Sequence, residues 1–308
     1  MALDPETSEF LAKVAAAGRP ALHTCTVAEA RALNRASTKL FGTGPAMYHV
    51  QDHQLGSPGS QFRVRQLAPS ANPAGVIVYY HGGGWVLGDV DGFDTMGRQL
   101  AARTGCTVLL VEYRLAPEHP FPAPVQDAYL ALDWAAATLL PTTTPLIVAG
   151  DSAGGNLAAV VTRWARDRKG PAIALQVLIY PVTDAHLDSA SYQANDNQQL
   201  LTRDGMAWFW EHYVPNPADR GNPDASPLQA QDLRHLPPTL LVLAEHDVLR
   251  DEGQAYGAAL AKAGVAVESR CFAGQMHGFF TMVNVLPGAA QGMDYVVTRI
   301  ATVLATHG

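Results

Sequence analysis

Pro145-Leu-Ile-Val-Ala-Gly-Asp-Ser-Ala-Gly-Gly-Asn156 decides how the rest of the chain is read. Leu146 to Ala149 is a short apolar run rich in β-branched residues, the pattern of a buried strand. Gly150-Asp151-Ser152-Ala153-Gly154 follows directly, and Asn156 to Asp167 has a helical pattern. Strand, Gly-x-Ser-x-Gly and helix in that order are the context in which the pattern forms a nucleophile elbow. A chain that reverses from strand to helix at one residue forces that residue into a strained backbone conformation. Side chains two positions to either side would collide, so Gly150 and Gly154 carry none. The strain lifts the Ser152 hydroxyl clear of the sheet edge, at a helix N-terminus where backbone N–H groups favour developing negative charge.

Composition sets the frame. At 308 residues the chain can build a large core, with 48% hydrophobic and 16% charged residues as in globular proteins. A net charge of −7 without clustered Lys or Arg argues against nucleic acid and against a polybasic membrane anchor. Met1 to Val14 holds Asp4, Glu6 and Glu9 and lacks the layout of a signal peptide. The uncharged stretch around Ala135 to Gly150 is broken by Pro141 and Pro145 and is too short to span a bilayer. Cys25, Cys106 and Cys271 are few, odd in number and widely spaced, which fits a reduced cytoplasm and packing more than chemistry.

Outward from the central stretch, Val76–Tyr80, Thr107–Glu112, Leu175–Tyr180, Leu240–Ala244 and Val265–Phe272 read as further strands. Helical patterns cover Phe93–Arg103, Pro124–Thr138, Gly253–Ala263 and Ala289–Leu304. Apolar strands alternating with amphipathic helices predict a mostly parallel sheet covered on both faces, an α/β architecture. Upstream, Tyr48–Leu55 and Phe62–Leu67 predict an antiparallel hairpin around Gly56-Ser57-Pro58-Gly59. Two helices precede it. One opens at Asp4-Pro5, the other at the capping box Thr26-x-x-Glu29. Asp184 to Pro238 breaks the rhythm: it has one predicted helix, Thr202–Tyr213, among many turn residues, and an insertion of that length is expected to be a lid or binding element. The chain thus divides into N-terminal helices (1–45), a first core segment (46–183), an insertion (184–238) and a second core segment (239–308).

A serine hydroxyl needs a base to take its proton. After an elbow the partners come in the chain order Ser, Asp, His, each following a strand. His277 lies in Ala273-Gly-Gln-Met-His-Gly-Phe279 after the last predicted strand, and Asp247 follows Leu240–Ala244, with Asp251 next in line. Asp247 is expected to accept Nδ1–H of His277 and stabilise the imidazolium formed during attack. The competing reading of His277 is an idle loop histidine among 11, and that of Asp247 a helix N-cap. The oxyanion needs preorganised donors. His81-Gly82-Gly83-Gly84-Trp85 stands directly after Val76–Tyr80, so Gly83, Gly84 and Ala153 are expected to supply N–H groups, with His81 bracing the loop. Neither GxxxxGK[ST] nor GxGxxG is present, so these glycines do not read as a phosphate cradle.

Taken together, these motifs resemble the bacterial hormone-sensitive-lipase-like esterases of the α/β-hydrolase superfamily. The matching residues are His81–Trp85, Tyr113-Arg-Leu-Ala-Pro-Glu-His-Pro-Phe-Pro-Ala123, Gly150–Gly155, Asp247–Glu252 and His277–Phe279. The resemblance implies an eight-stranded sheet, a cap built from the N-terminal helices and the Leu201–Tyr213 region, and carboxylesterase activity on short-to-medium acyl chains. It implies Ser152 as nucleophile, Asp247 as acid, His277 as base, and Gly83, Gly84 and Ala153 as oxyanion donors. In one departure Val248 stands where the acid motif usually has proline, which is expected to loosen the loop holding Asp247. Glu118 and His119 are read as structural hydrogen-bonding groups in a Pro-rich turn.

Met206, Phe209, Trp210 and Tyr213 recur at helical spacing, so one face of that helix is apolar. Trp85, Trp208, Phe209 and Phe279 are the candidates for substrate contact. No cofactor or metal is expected: Asp184, His186 and Asp188 alternate in a turn-rich segment, without HExxH or paired cysteines. The partner expected is a small-molecule ester, with monomer and homodimer both open. The alternatives are an amidase, deacetylase or lipase with the same three residues, or a non-catalytic small-molecule receptor on this fold.

Overall fold

The computed structural model describes residues 2–139 and 144–307; Met1, Gly308 and residues 140–143, with the Pro141 that interrupts the long uncharged stretch, lie outside them. The chain opens with helices α1 (Pro5–Ala16) and α2 (Val27–Thr38). Asp4 caps α1 by accepting the Thr7 N–H, and the Thr26–Glu29 capping box of α2 is reciprocally formed. The hairpin β1 (His49–Leu55) and β2 (Phe62–Ala68) follows, then β3 (Val76–Tyr80), α3 (Val90–Thr104), β4 (Thr107–Glu112) and α4 (Ala123–Leu139). Next come β5 (Leu146–Asp151), α5 (Ala153–Asp167) and β6 (Leu175–Ile179). The interval after β6 holds a short helix α6 (Ala190–Gln193) and α7 (Arg203–Tyr213); β7 (Thr239–His246), α8 (Arg250–Lys262), β8 (Val267–Met276) and α9 (Pro287–His307) complete the fold.

The eight strands form one sheet in the order β1-β2-β4-β3-β5-β6-β7-β8. β1 and β2 are antiparallel to each other and β2 is antiparallel to β4; every later pairing is parallel. The expected mostly parallel, eight-stranded α/β sheet is therefore present. Its alternation sorts the core into two layers. In β3, Val76, Val78 and Tyr80 face one cluster with Leu132 of α4 and Leu157 of α5. Ile77 and Tyr79 face the other, with Leu100 of α3 and Val296 of α9.

Element boundaries depart from the sequence reading where capping or pairing adds residues. α3 starts at Val90, three residues before the expected Phe93, because the Asp89 side chain accepts the Gly92 N–H and nucleates the first turn. β8 runs to Met276, beyond the expected Phe272, because a register shift between Ala244 and His246 lets Met276 pair with His246. In the insertion, α6 and 3₁₀ turns at Asn195–Asn197, Pro217–Asp219 and Pro227–Gln229 join the one expected helix; such short elements leave no periodicity to read. Among the described residues no helix is long and apolar enough to cross a membrane.

Candidate active site

Ser152 occupies the single residue between β5 and α5, with φ 54° and ψ −118°, outside the regions open to L residues. Two hydrogen bonds hold it there: its N–H donates to Ile179 O at 2.9 Å, and its carbonyl accepts the Val182 N–H at 3.1 Å. The flanking glycines are required by contact. A Cβ on Gly154 would stand 1.9 Å from Tyr80 O, and one on Gly150 2.3 Å from Gly154 O.

His277 follows β8 immediately. Its Nε2 lies 3.0 Å from Ser152 Oγ, and its Nδ1 lies 2.7 Å from Asp247 Oδ2. Asp247 is fully buried after β7, and its Oδ1 accepts the Leu249 N–H at 2.9 Å. A carboxylate oxygen can only accept, so Nδ1 carries the imidazole hydrogen and the Nε2 lone pair faces the Ser152 hydroxyl. The Tyr180 ring backs the imidazole at 4.6 Å between centroids. Asp251 sits elsewhere: its Oδ2 accepts the Ser191 N–H at 2.7 Å.

The glycine loop after β3 is fixed from below. Gly82 N–H and Tyr79 O–H both donate to Asp151 Oδ1 at 2.9 Å, and Tyr113 O–H donates to His81 O at 2.7 Å. Gly83 (φ 112°), Gly84 (φ 60°) and Trp85 (φ 60°) then turn the chain through the left-handed region, and Leu87 N–H closes the turn on Gly83 O at 2.8 Å. Among the described residues, the N–H groups of Gly83, Gly84 and Ala153 donate to no protein acceptor. His81 Nδ1 lies 2.7 Å from Gly82 O and its ring stacks on Tyr113, so Nδ1 is the donor; burial lowers its pKa and keeps the ring neutral.

Burial pushes the Asp151 carboxyl up to about 6, against the opposing effect of its Tyr79 and Gly82 hydrogen bonds. This residue, one before Ser152, ties the elbow to the glycine loop. Arg31 of α2 makes a second tie that the sequence reading missed: it donates to Val86 O, Ala116 O and both carboxylate oxygens of Glu118. No local pattern announces it, since its partners lie 55 or more positions away. Glu118 is held well below the usual carboxylate range, to about 2, chiefly by that Arg31 pairing.

The four candidate substrate contacts separate in space. Phe209 of α7 lies over the glycine loop, so that a Cβ on Gly84 would stand 2.1 Å from its ring. Trp208 meets Phe209 edge-on at 5.2 Å. The Trp85 side chain is fully buried and stacked on Tyr213 at 4.0 Å. Phe279, also fully buried, packs on Phe272 in the layer beneath α9. Asp184 binds Gln229 Nε2, His186 Nδ1 and the Ala185 N–H. Among the described residues no group of three or more His, Cys, Asp or Glu is placed to hold a metal ion.

Comparison with known proteins identifies the family. Residues 77–281 match the family described as the alpha/beta hydrolase fold. The chain is 39% identical to the carboxylic ester hydrolase LipN of Mycobacterium tuberculosis, over 83% of this chain and 71% of that protein. It is 36% identical to the ethyl acetate hydrolase of Pseudomonas putida, over 97% of this chain and 99% of that one. An ester-hydrolase from the metagenome of Lake Arreo, solved in complex with a derivative of bipyridine phosphonate, superposes with a TM-score of 0.90 at 38% identity, covering 99% of both chains. By fold, motifs and relatives, the chain belongs to the hormone-sensitive-lipase-like esterases of the α/β-hydrolase superfamily.

Proposed function

We propose that the chain hydrolyses carboxylic esters with short-to-medium acyl groups, through a covalent acyl-enzyme on Ser152. The observation that supports this most is the relay of contacts from Asp247 through His277 to Ser152, at 2.7 and 3.0 Å, ending on a hydroxyl held at a strained corner. The Ser152 proton passes to His277 Nε2 as Oγ attacks the ester carbonyl. The oxyanion is met by the N–H groups of Gly83, Gly84 and Ala153, each such donor being worth about 2.7–4 kcal/mol to the transition state. Collapse expels the alcohol, which takes the proton from the imidazolium; water then repeats the sequence and releases the acid. His81 is not the base in this reading: the Ser152 hydroxyl meets His277 Nε2, His81 Nε2 makes no hydrogen bond to it, and burial opposes the charging of His81. Phe209 above Gly84 favours compact acyl groups, in keeping with a relative named for ethyl acetate.

The cap in this reading consists of α1, α2 and residues 184–238, with α2 and α7 meeting the loop that holds Gly83 and Gly84. The three cysteines are free thiols, which supports a reducing, cytoplasmic setting. The test is Ser152→Ala assayed on p-nitrophenyl acetate, together with mass spectrometry after treatment with a p-nitrophenyl phosphonate. The variant is expected to lose at least about a thousandfold in kcat, and only the wild type should gain the phosphonyl mass, on Ser152. Substantial turnover by the variant, or label on another residue, removes Ser152 from the role.

A further inference from the structure

Asp247 sits in a turn that no element of the sheet holds on both sides. β7 ends at His246 and α8 begins at Arg250, and the turn between them is closed by one backbone hydrogen bond, Arg250 N–H to Asp247 O at 3.2 Å. Val248 occupies its second position. A residue there with free φ leaves the turn, beyond the Leu249 N–H bond to Asp247 Oδ1 and the Arg250 guanidinium bond to Glu245 O, to be fixed by contacts from outside. Those contacts come from the insertion, about sixty positions earlier.

Ser191 of α6 supplies them. It is fully buried; its hydroxyl donates to Val248 O at 2.6 Å, its Oγ accepts the Asp251 N–H at 3.3 Å, and its own N–H donates to Asp251 Oδ2 at 2.7 Å. Its carbonyl accepts Asn197 Nδ2–H at 2.9 Å, which fixes Ser191 within the insertion. One residue further along α8, Glu252 Oε1 accepts the N–H groups of Thr183 (2.7 Å) and Asp184 (3.3 Å), while Thr183 O–H donates to Glu252 O at 2.9 Å. The base of the insertion and the turn holding Asp247 are thus clasped at two points, with Ser191 bonded to Val248 within the turn and to Asp251 just beyond it.

We propose that Ser191 is a positioning residue for the reaction: by bridging Val248 and Asp251 it holds the Asp247 carboxylate in register with His277. The proposal rests on the ester-hydrolase reading of Ser152, His277 and Asp247. Ser191 makes no hydrogen bond to the imidazole of His277. Its effect passes through the turn, and a displacement of about 1 Å in a catalytic group costs on the order of a hundredfold in rate. Losing the bridge therefore lowers kcat and leaves the binding of the acyl group alone.

The turn offers its own control. Among the described residues the Val248 N–H donates to no acceptor, and proline is favoured at the second position of such a turn. Val248→Pro therefore fixes φ from within, at the loss of no hydrogen bond. The experiment compares wild type, Ser191→Ala, Ser191→Ala/Val248→Pro and Asp247→Asn on p-nitrophenyl acetate, with thermal melts of each. Ser191→Ala is expected to lose about tenfold or more in kcat with KM changed less than about twofold, and the added proline to recover most of that loss. Ser191→Cys, close in volume and a weak donor, takes its place if the alanine variant does not fold. Wild-type kcat in the serine variants, or a loss in kcat that the proline does not recover, overturns the proposal. Wild-type rates in Asp247→Asn would instead overturn the reading beneath it; an inactive Asp247→Asn beside a fully active Ser191→Ala sinks the Ser191 role alone.

Discussion

The Asp151 carboxylate and the Gly82 amide meet at 2.9 Å, and through that contact the corner that presents Ser152 and the loop that presents Gly83 and Gly84 become one rigid unit. The two segments are 69 positions apart in sequence and adjacent because β3 and β5 pair in parallel, Tyr80 against Gly150. The contact is made by a buried carboxyl that also accepts from Tyr79, so the geometry of the loop is linked to a titrating group.

That linkage has a sign. Burial raises the folded-state pKa of Asp151 from 3.8 to about 6, so between those values the native chain keeps a proton that the unfolded chain has released. Its contribution to stability is full below about pH 4 and is lost as pH rises through about 6, by on the order of 3 kcal/mol. Asp151→Asn is neutral throughout, so the melting temperature of the variant relative to wild type should climb as pH goes from 4.5 to 7.5. Calorimetry in matched buffers checks this; a difference independent of pH would mean that Asp151 does not titrate in this range.

Ser152 should be more costly to the fold as alanine than as glycine. Both variants lack the hydroxyl, and both should be inactive. Alanine keeps a Cβ at φ 54°, ψ −118°, where a non-glycine residue stores roughly 1–3 kcal/mol. Glycine removes that strain, offset by about 0.5–1 kcal/mol of extra unfolded-state entropy. Ser152→Gly is therefore expected to melt a degree or more above Ser152→Ala, measured by differential scanning fluorimetry. Equal melting points would mean the corner is relaxed.

Gly84→Ala should damage activity through a single added methyl. The added Cβ would sit 2.1 Å from the Phe209 ring, at a φ of 60° that disfavours side chains. The loop or α7 must shift, and a drop of about tenfold or more in kcat is expected as the Gly84 N–H is displaced. Phe209→Ala in the same chain removes the clash and should recover part of the rate on p-nitrophenyl acetate. No recovery would place the damage in the backbone strain alone.

Phe209→Ala by itself should move the chain-length preference. Removing the ring opens space above the glycine loop, and each extra methylene accommodated in an apolar pocket is worth about 1–3 kcal/mol. The ratio of kcat/KM for p-nitrophenyl hexanoate over acetate is expected to rise about tenfold. An unchanged ratio would mean the acyl group lies elsewhere.

Much of the architecture was legible because it rests on local pattern. β3 and β4 fall where the apolar runs placed them, and the Thr26–Glu29 capping box formed as its spacing required. Ser152, Asp247 and His277 could be named from chain order and strand context, and in the folded chain they lie within hydrogen-bond reach. Aromatic residues were less readable. Phe279 and Phe209 look alike in sequence, yet one packs on Phe272 beneath α9 and the other lies over Gly84. A bulky apolar side chain satisfies any buried surface, so its partner depends on which layer its element joins. Arg31 and Ser191 left no signal at all, because each acts on carbonyl groups dozens of positions away.

By itself the sequence determined the alternation of strand and helix and the elbow at Ser152, because steric demands there act within a few residues: a corner with Tyr80 O and Gly154 O pressed against it admits only glycine two positions to either side of the serine. Only the tertiary structure decided which distant groups hold that corner's surroundings in place. Asp151 to Gly82, Arg31 to Val86 and Ala116, and Ser191 to Val248 are all hydrogen bonds to backbone amides or carbonyls. Every residue offers those same backbone groups, so the choice among them is made by packing and leaves no mark on residue type.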